Sequence, residues 1–277
     1  MSKGNGVLVD LTRCIGCGSC TVACKMWNKL EFQEDHPATG EHTKLKDHNW
    51  TVLETRKTEM EDGSPIWRYV KRQCMHCLDP ACASVCFSRA IERREDGAVV
   101  YYPGLCVGCR YCMVACPFDV AKYEWESPFP AVMKCQFCSS RLENHEVPAC
   151  ISVCPTHVME FGRRDKLLEK AKARIAAEPN KYVPHIYGAE EVGGTSWMYI
   201  SDVPFDKLGF NTELGTTTAT KYSNSWMKKV PYIAIGWAAL ATAISVYTKR
   251  RSENEKKKRE EKRVAKSEEK AGERNDQ

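Results

Sequence analysis

The chain has 277 residues, which allows one large or two small domains, and 43% of them are hydrophobic, as in a protein that buries a core. Segment 249–277 holds twelve Lys and Arg against eight Asp and Glu, so it contributes +4 of the net charge of +5. The nearly neutral body lacks the basic surface of a nucleic-acid-binding protein, so we expect no nucleic-acid partner.

At the N-terminus, MSKGNG leads directly into VLVDLT, which predicts a short strand. Neither an apolar stretch nor a twin arginine precedes this strand, and we therefore expect no export signal in this chain. The pair Arg163 and Arg164 is not followed by an apolar segment. We interpret it as the solvated start of a helix over Asp165–Glu178, whose charged amphipathic sequence predicts a surface helix.

Sixteen cysteines are too many for core residues alone, and four groups contain all of them. The first and third groups share one spacing: Cys14-x2-Cys17-x2-Cys20-x3-Cys24 and Cys106-x2-Cys109-x2-Cys112-x3-Cys116-Pro117. The second and fourth are variants of it: Cys74-x2-Cys77-x4-Cys82-x3-Cys86 and Cys135-x2-Cys138-x11-Cys150-x3-Cys154-Pro155.

Spacing discriminates among disulfides, zinc and iron–sulfur clusters. Disulfide partners need Cα atoms about 5.5 Å apart, and closely spaced cysteines compete for the same geometry. Zinc binds C-x2-C pairs but has no use for further thiols at x2 and x3. The run C-x2-C-x2-C-x3-C-P is typical of bacterial ferredoxins, in which three thiolates bind one [4Fe-4S] cluster and the fourth binds another. We therefore predict that the cysteines bind iron in [4Fe-4S] clusters.

At four thiolates per cluster, sixteen cysteines give four [4Fe-4S] clusters. The fourth cysteine of each group is predicted to bind the cluster of another group, and this pairs the first group with the last and the second with the third. The predicted ligands of clusters 1 and 2 are Cys14, Cys17, Cys20 and Cys154, and Cys24, Cys135, Cys138 and Cys150. The predicted ligands of clusters 3 and 4 are Cys86, Cys106, Cys109 and Cys112, and Cys74, Cys77, Cys82 and Cys116. Glycines in the loops, such as Gly16 and Gly108, permit close approach of the backbone to a cluster.

Two hairpins are predicted between the groups: WTVLET and PIWRYV flank EDGS, and AIERREDGAVVYY contains the turn signal Asp96-Gly97. His76 lies inside CMHC, but cysteines already fill every ligand position, so we interpret it as a neighbour of a ligand rather than a ligand. Four cations adjoin ligands and either raise cluster potentials or are merely exposed charges: Arg13, Lys25, Arg110 and Lys134.

The run VPYIAIGWAALATAISVYT, residues 230–248, contains no charge and predicts one transmembrane helix. Aromatic residues near its ends fit a membrane interface, and the charged tail beyond it is expected to be frayed or disordered. Only Lys221, Lys228 and Lys229 precede the span closely, whereas nine Lys and Arg lie in 249–263. The positive-inside rule therefore predicts a cytoplasmic tail and a cluster domain on the outer, periplasmic face of the cytoplasmic membrane.

The motifs VDLTRCIGC, CMHCLDPAC, CRYCMVACPF, KCQFC and PACISVCPT resemble the four-cluster iron–sulfur β subunit of membrane-bound formate dehydrogenases, within the respiratory molybdopterin oxidoreductases. The stretch HIYGAEEVGGTSWMYISDVPF is also similar to the electron-transfer subunit of membrane-bound nickel–iron uptake hydrogenases. The resemblance covers nearly the whole chain. The chain departs from the family pattern at Phe87, where a proline usually follows the cysteine.

The resemblance implies an α+β fold of two pseudo-symmetric ferredoxin-like modules, each with two [4Fe-4S] clusters, and one C-terminal transmembrane helix. We divide the chain into a four-cluster domain (1–160), an extension packed on it and on partner subunits (161–229), the span (230–248) and the tail (249–277). The clusters would lie in a line and carry electrons from a catalytic molybdopterin subunit to a membrane cytochrome b and quinone. The catalytic subunit would also carry the twin-arginine signal that exports both chains.

No paired carboxylates, nucleophile motif or glycine-rich nucleotide loop is found in the sequence, so we predict an electron-transfer subunit rather than an enzyme. The alternatives within the same role are subunits of a nickel–iron uptake hydrogenase or of another molybdopterin reductase. A stand-alone enzyme would need an open coordination position, and a zinc scaffold would be colourless.

Overall fold

The computed structural model describes residues 4–60, 63–128 and 130–275. The chain divides into two units, Met1–Lys221 and Tyr222–Gln277. The strands are, in chain order, β1 (Asn5–Asp10), β2 (Thr39–Gly40), β3 (Val52–Glu59), β4 (Pro65–Arg72), β5 (Ile91–Arg93), β6 (Val99–Tyr101), β7 (Lys122–Tyr123), β8 (Val132–Met133), β9 (Met159–Arg163) and β10 (Trp197–Ile200). The α-helices are α1 (Ser19–Asn28), α2 (Ala81–Ser84), α3 (Tyr111–Val114), α4 (Ser139–Glu143), α5 (Ala149–Ser152), α6 (Arg164–Ala177), α7 (Ala219–Met227) and α8 (Val230–Asn275).

The central sheet of the first unit has β1 in the middle, parallel to β10 and antiparallel to β9. Both faces of β1 are buried because its side chains alternate between two hydrophobic clusters. Val7 and Val9 face the larger cluster, which also contains cysteines, whereas Leu8 packs with Leu167 and Ala171 of α6. The predicted strand VLVDLT is confirmed, and the sheet fixes the position from which the first cysteine loop begins.

The two predicted hairpins are confirmed. β3 and β4 pair antiparallel over their full length, from Val52 opposite Arg72 to Glu59 opposite Pro65; Glu61 and Asp62 of the predicted turn lie outside the described residues. β5 and β6 pair antiparallel around the predicted Asp96-Gly97 turn. β2 extends the first hairpin to three strands, and β7 and β8 form a further hairpin beside the third cysteine group.

The predicted helix at Asp165–Glu178 is confirmed as α6, but Arg164 is not the solvated residue that we expected. It is only 8% exposed, and its guanidinium donates to the carbonyls of Thr195 at 2.6 Å and Ala189 at 2.8 Å. Arg163 is exposed and pairs with Asp165. Arg164 is buried because the loop before β10 folds back over the start of α6, a contact between residues far apart in sequence.

The segment after residue 160 contributes to the same sheet as the N-terminus. β9 crosses position 160, and β10 pairs with β1 from Val7 opposite Trp197 to Asp10 opposite Ile200. The proposed domain boundaries and the pseudo-symmetry of the two modules stay predictions.

The second unit is helical. Within the described residues, one helical segment, Ala219–Lys262, is long and apolar enough to cross a membrane by length and composition, and it contains the predicted span. The charged tail was expected to be frayed or disordered, but α8 continues through it to Asn275. Its abundant Lys, Arg, Glu and Ala residues are strong helix formers, and Arg251 pairs with Glu255 one turn later at 3.2 Å.

Candidate iron–sulfur sites

All four cysteine groups have the same local structure, in which a loop carries the first thiols and a helix carries a later one. The helical cysteines are Cys20 and Cys24 on α1, Cys82 on α2, Cys112 on α3 and Cys150 on α5. The last cysteine of the second, third and fourth groups lies two residues past the end of its helix. A short helix therefore separates the loop thiols from the thiol that was predicted to bind a different cluster.

The residue just before the second cysteine is left-handed in every group. Gly16 has φ 74° and Gly108 has φ 71°, whereas His76 and Phe137 adopt φ 49° and 57° with full side chains. This conformation turns backbone N–H groups towards sulfur: Gly108 N donates to Cys106 Sγ, and Phe137 N to Cys135 Sγ, each at 3.4 Å. At Gly16 a Cβ would lie 2.5 Å from the ring of Tyr69, so glycine is required there.

The thiols assigned to cluster 1 share one cavity. The four thiols that line it are those of Cys14, Cys17, Cys20 and Cys154. Val9, Leu11, Tyr69 and Lys71 also line the cavity. Burial raises the pKa of Cys14, and the nearby Cys154 raises it further. The structure therefore brings Cys154 beside the first loop although 140 positions separate it from Cys14.

The thiols assigned to cluster 2 are also neighbours. Burial raises the pKa of Cys24 to about 12, with further contributions from Cys150 and Cys138. Burial raises the pKa of Cys135 as well, and Cys24 and Cys138 add to the effect. The amide of Asn28 lies 3.6 Å from Cys24 Sγ and supplies a polar hydrogen to it.

In the second and third groups, the last cysteine of each group lies near the first three cysteines of the other. Burial raises the pKa of Cys112 to about 11, and three neighbouring thiols raise it further: Cys106, Cys109 and Cys86. Burial raises the pKa of Cys77 well above its usual range, with contributions from Cys74, Cys116 and Cys82. These are the sets predicted for clusters 3 and 4, and their role as ligands stays a prediction.

Thiols of different sets also lie near one another. Beyond the effect of burial, thiols of a neighbouring set raise the pKa of three cysteines: Cys150 raises that of Cys20, Cys74 that of Cys135, and Cys112 that of Cys82. These neighbours place the four sets in the spatial order 1, 2, 4 and 3. The two sets at the ends of this order contain the exposed thiols Cys17 and Cys109.

Lys71 places a buried ammonium group between the first two sets, and no sequence pattern predicted this role. It is 4% exposed and donates to Thr51 Oγ1 at 2.6 Å and Gln73 Oε1 at 2.9 Å, while its Nζ lies 4.7 Å from the ring centroid of Trp197. Burial by itself would lower the pKa of Lys71, but nearby thiols outweigh burial and raise it. The only sequence signal was its position three residues before a cysteine. The hairpin strand that carries it was predicted, but the surface against which this strand packs was not.

The four cations singled out from the sequence fall into two classes. Lys25 and Lys134 are buried, at 5% and 2% exposure, and donate to backbone carbonyls, so both place positive charge beside the thiols. Arg13 and Arg110 are exposed, and Arg110 lies over the ring of Trp125. Only the buried pair is placed to act strongly on a cluster, because solvent screens the exposed pair.

His76 is fully buried and contacts two different parts of the chain. Val99 N donates to its Nδ1 at 2.9 Å, and its Nε2 lies 3.5 Å from Cys135 Sγ. Its ring stacks on Phe137 with centroids 4.7 Å apart. Burial holds the pKa of His76 well below its usual range, and Lys134 lowers it further, so the ring is neutral.

The donor chemistry fits iron–sulfur clusters. All sixteen cysteines are free thiols, which removes the disulfide alternative, and the sets supply sulfur only, with N–H groups directed at Sγ atoms. Among the described residues, no three His, Cys, Asp or Glu side chains converge closely enough for one metal ion. The thiolates of one zinc site all lie about 2.3 Å from the same ion. Thiols that bind the four separate irons of a cluster lie further apart than that. Phe87, in place of proline, is exposed and leaves Cys86 within its set.

Comparisons with known proteins agree with this chemistry. Two families, each described as a 4Fe-4S dicluster domain, match residues 65–164 and 13–90. Together the matches cover all four cysteine groups. The first unit is therefore an iron–sulfur protein with two ferredoxin-like dicluster domains.

Relatives resemble most of the chain. A protein of Nitratidesulfovibrio vulgaris is 44% identical over 258 residues, covering 89% of this chain and 67% of its own. Hydrogenase-2 operon protein HybA of Escherichia coli O157:H7 is 32% identical and covers 90% of this chain and 85% of its own. The nitrate-inducible formate dehydrogenase iron-sulfur subunit of Escherichia coli K12 is 36% identical, covering 70% and 66%. This chain belongs to the family of iron–sulfur electron-transfer subunits that includes the formate dehydrogenase subunits and HybA.

Proposed function

We propose that this chain relays electrons through four [4Fe-4S] clusters between a catalytic subunit and a membrane cytochrome b that reduces or oxidises quinone. The observation that carries the proposal is the crossing of thiols between groups, most clearly Cys154 in the cavity of the first loop. Such crossing brings set 1 beside set 2 and set 3 beside set 4, and the proximity of Cys74 to Cys135 joins the two pairs, as a relay requires. When bound, the clusters would supply one-electron carriers.

The residues around the thiols have three roles in this proposal. Hydrophobic side chains pack against thiols of all four sets and exclude water from them, and backbone N–H groups bind sulfur and favour the more negative reduced state. The buried ammonium groups of Lys71, Lys25 and Lys134 favour the same state. No acid, base or nucleophile of this chain takes part, so we assign it no catalytic residue.

The ends of the spatial order are the sites at which partners would exchange electrons. Ile15 and Val107 occupy equivalent positions after the first cysteine of the first and third groups, and they are 59% and 61% exposed. Exposed apolar residues beside exposed thiols suit docking of partner subunits that exclude water. The equivalent Met75 of the second group is buried, as expected for an inner site.

We assign the catalytic partner to the molybdopterin enzymes of formate dehydrogenase type, because two relatives are named as iron-sulfur subunits of formate dehydrogenases. A nickel–iron uptake hydrogenase is the second candidate, and a specific observation favours it: HybA matches 90% of this chain, against 70% for the nitrate-inducible formate dehydrogenase subunit. Purification of the native complex followed by molybdenum, tungsten and nickel analysis distinguishes the two candidates.

We assign the protein to the cytoplasmic membrane, as a single-pass protein with its cluster domain on the periplasmic face and a cytoplasmic tail. The helical segment Ala219–Lys262 and the excess of Lys and Arg after residue 248 support this orientation.

Iron and acid-labile sulfide analysis tests the relay. Four clusters require about sixteen irons and sixteen sulfides per chain. About eight irons, with zinc as the remainder, would contradict the proposal. In EPR spectra, Cys154→Ser should damage the cluster bound by Cys14, Cys17 and Cys20. Damage instead to the cluster bound by Cys135 would show that the crossing is wrong.

A further inference from the structure

Two cysteine loops meet face to face in the middle of the spatial order of the four sets. His76 in the second group and Phe137 in the fourth occupy equivalent positions, just before the second cysteine. Both are buried, at 0% and 1% exposure, and their rings stack at 4.7 Å with an interplanar angle of 20°. This stack connects the loop of cluster 4 to the loop of cluster 2.

The backbone at this position indicates a specific role for the two side chains. A left-handed conformation favours glycine, and the first and third groups have glycine there. The second and fourth groups keep bulky rings at φ 49° and 57° instead. Strained residues persist where the surrounding structure holds them and are common at functional sites.

Hydrogen bonds determine which nitrogen of His76 carries its proton. The backbone N–H of Val99 donates to Nδ1 at 2.9 Å, so Nδ1 must be the unprotonated nitrogen. The proton of a neutral ring is then on Nε2, which lies 3.5 Å from Cys135 Sγ. Lys134 donates to the carbonyl of the same Val99 at 2.5 Å and fixes the strand that orients the ring.

We propose that His76 is a positioning residue whose Nε2–H donates to Cys135 Sγ, and that this bond sets the potential of cluster 2 relative to cluster 4. The inference rests on the ligand sets proposed above. A hydrogen bond to a ligand sulfur favours the reduced state, so it draws the electron towards the Cys135 side of the junction. His76 gains and loses no proton, because Nδ1 accepts from the backbone and Nε2 donates in both redox states.

The test compares His76→Phe with His76→Gln in the full chain purified with its partner subunits. Phenylalanine keeps the stack on Phe137 and removes both hydrogen bonds, whereas glutamine can accept from Val99 and donate to Cys135. EPR redox titration measures both potentials, with the cluster 2 signal identified by its loss in Cys150→Ser. We expect His76→Phe to shift the electron distribution between the two clusters about tenfold towards cluster 4, about 59 mV for one electron. His76→Gln should retain most of the original distribution.

Two matched measurements separate this role from simple packing. Phe137→Leu removes the stack but keeps the hydrogen bond, so we expect its distribution to stay within about threefold of the original. In unmodified protein labelled with nitrogen-15 histidine, pulsed EPR should detect one histidine nitrogen coupled to cluster 2, and His76→Gln should abolish that coupling.

Unchanged potentials in His76→Phe with full iron content would overturn the proposal. If His76→Phe loses iron, the labelled unmodified protein decides: a histidine coupling removed by His76→Gln supports the bond, and its absence refutes it. Failure of the proposed relay can be distinguished from failure of this inference, because the unmodified protein would then contain fewer than about sixteen irons per chain.

Discussion

Replacing Lys71 by Met should lower the potentials of clusters 1 and 2. The ammonium group is buried, and it contacts a hydroxyl, an amide oxygen and the ring of Trp197. Its positive charge therefore acts on the neighbouring thiolates and on any electron added to the clusters that they bind. Methionine has a similar length, is unbranched and apolar, and can stay packed on the same ring.

The size of the effect follows from Coulomb's law. A unit charge at about 8 Å, in an effective dielectric constant of about 20, interacts with a transferred electron by about 2 kcal/mol. About 1.4 kcal/mol corresponds to about 59 mV for a one-electron couple, so we expect a fall of about 50–100 mV. Thr51 Oγ1 still donates to Arg72 O at 3.1 Å, whereas the buried Gln73 Oε1 loses its donor, so we expect a folding cost of about 1–3 kcal/mol.

EPR-monitored redox titration of the purified complex measures this shift, and iron analysis confirms that the clusters are intact. Lys57→Met is the matched control: Lys57 lies on the same hairpin and over a tryptophan ring at 5.0 Å, but its side chain is 54% exposed. Its substitution should change neither potential, because solvent screens the charge. Unchanged potentials in Lys71→Met, with full iron content, would refute the assignment of Lys71 to these two clusters.

Three further predictions concern stability and topology. Asp10→Asn removes the buried carboxylate that pairs with Arg174 at 3.0 Å, so thermal or denaturant unfolding should show a loss of about 2–3 kcal/mol; an unchanged midpoint would contradict it. Gly188 has φ +91°, and Gly188→Ala would place a Cβ 2.2 Å from a backbone carbonyl oxygen, so this variant should unfold at a lower temperature. Gly104→Ala should unfold at the original temperature, because there is open space around Gly104. Alkaline phosphatase fused after Gln277 should be inactive and a fluorescent protein that matures only in the cytoplasm should fluoresce; the reverse result would refute the proposed orientation.

The sequence by itself determined the features that depend on neighbouring residues. Spacings of two residues place the first three thiols of the first and third groups on one loop and the helix that follows it, and the structure has this arrangement in both groups. The Asp96-Gly97 turn predicted its hairpin, and the uncharged run 230–248 predicted a helix of membrane-spanning length. Each of these features is decided by residues within about 20 positions of one another, so local rules suffice.

Only the tertiary structure decided which distant residues are buried together. It placed Lys71 between two cysteine sets, buried Arg164 under the loop before β10, and directed Nε2 of His76 at a cysteine 59 positions away. A charged or polar side chain carries the same sequence signal whether it faces solvent or a buried partner. Its burial depends on the return of a distant segment, here β10 beside β1, and no local pattern specifies that return.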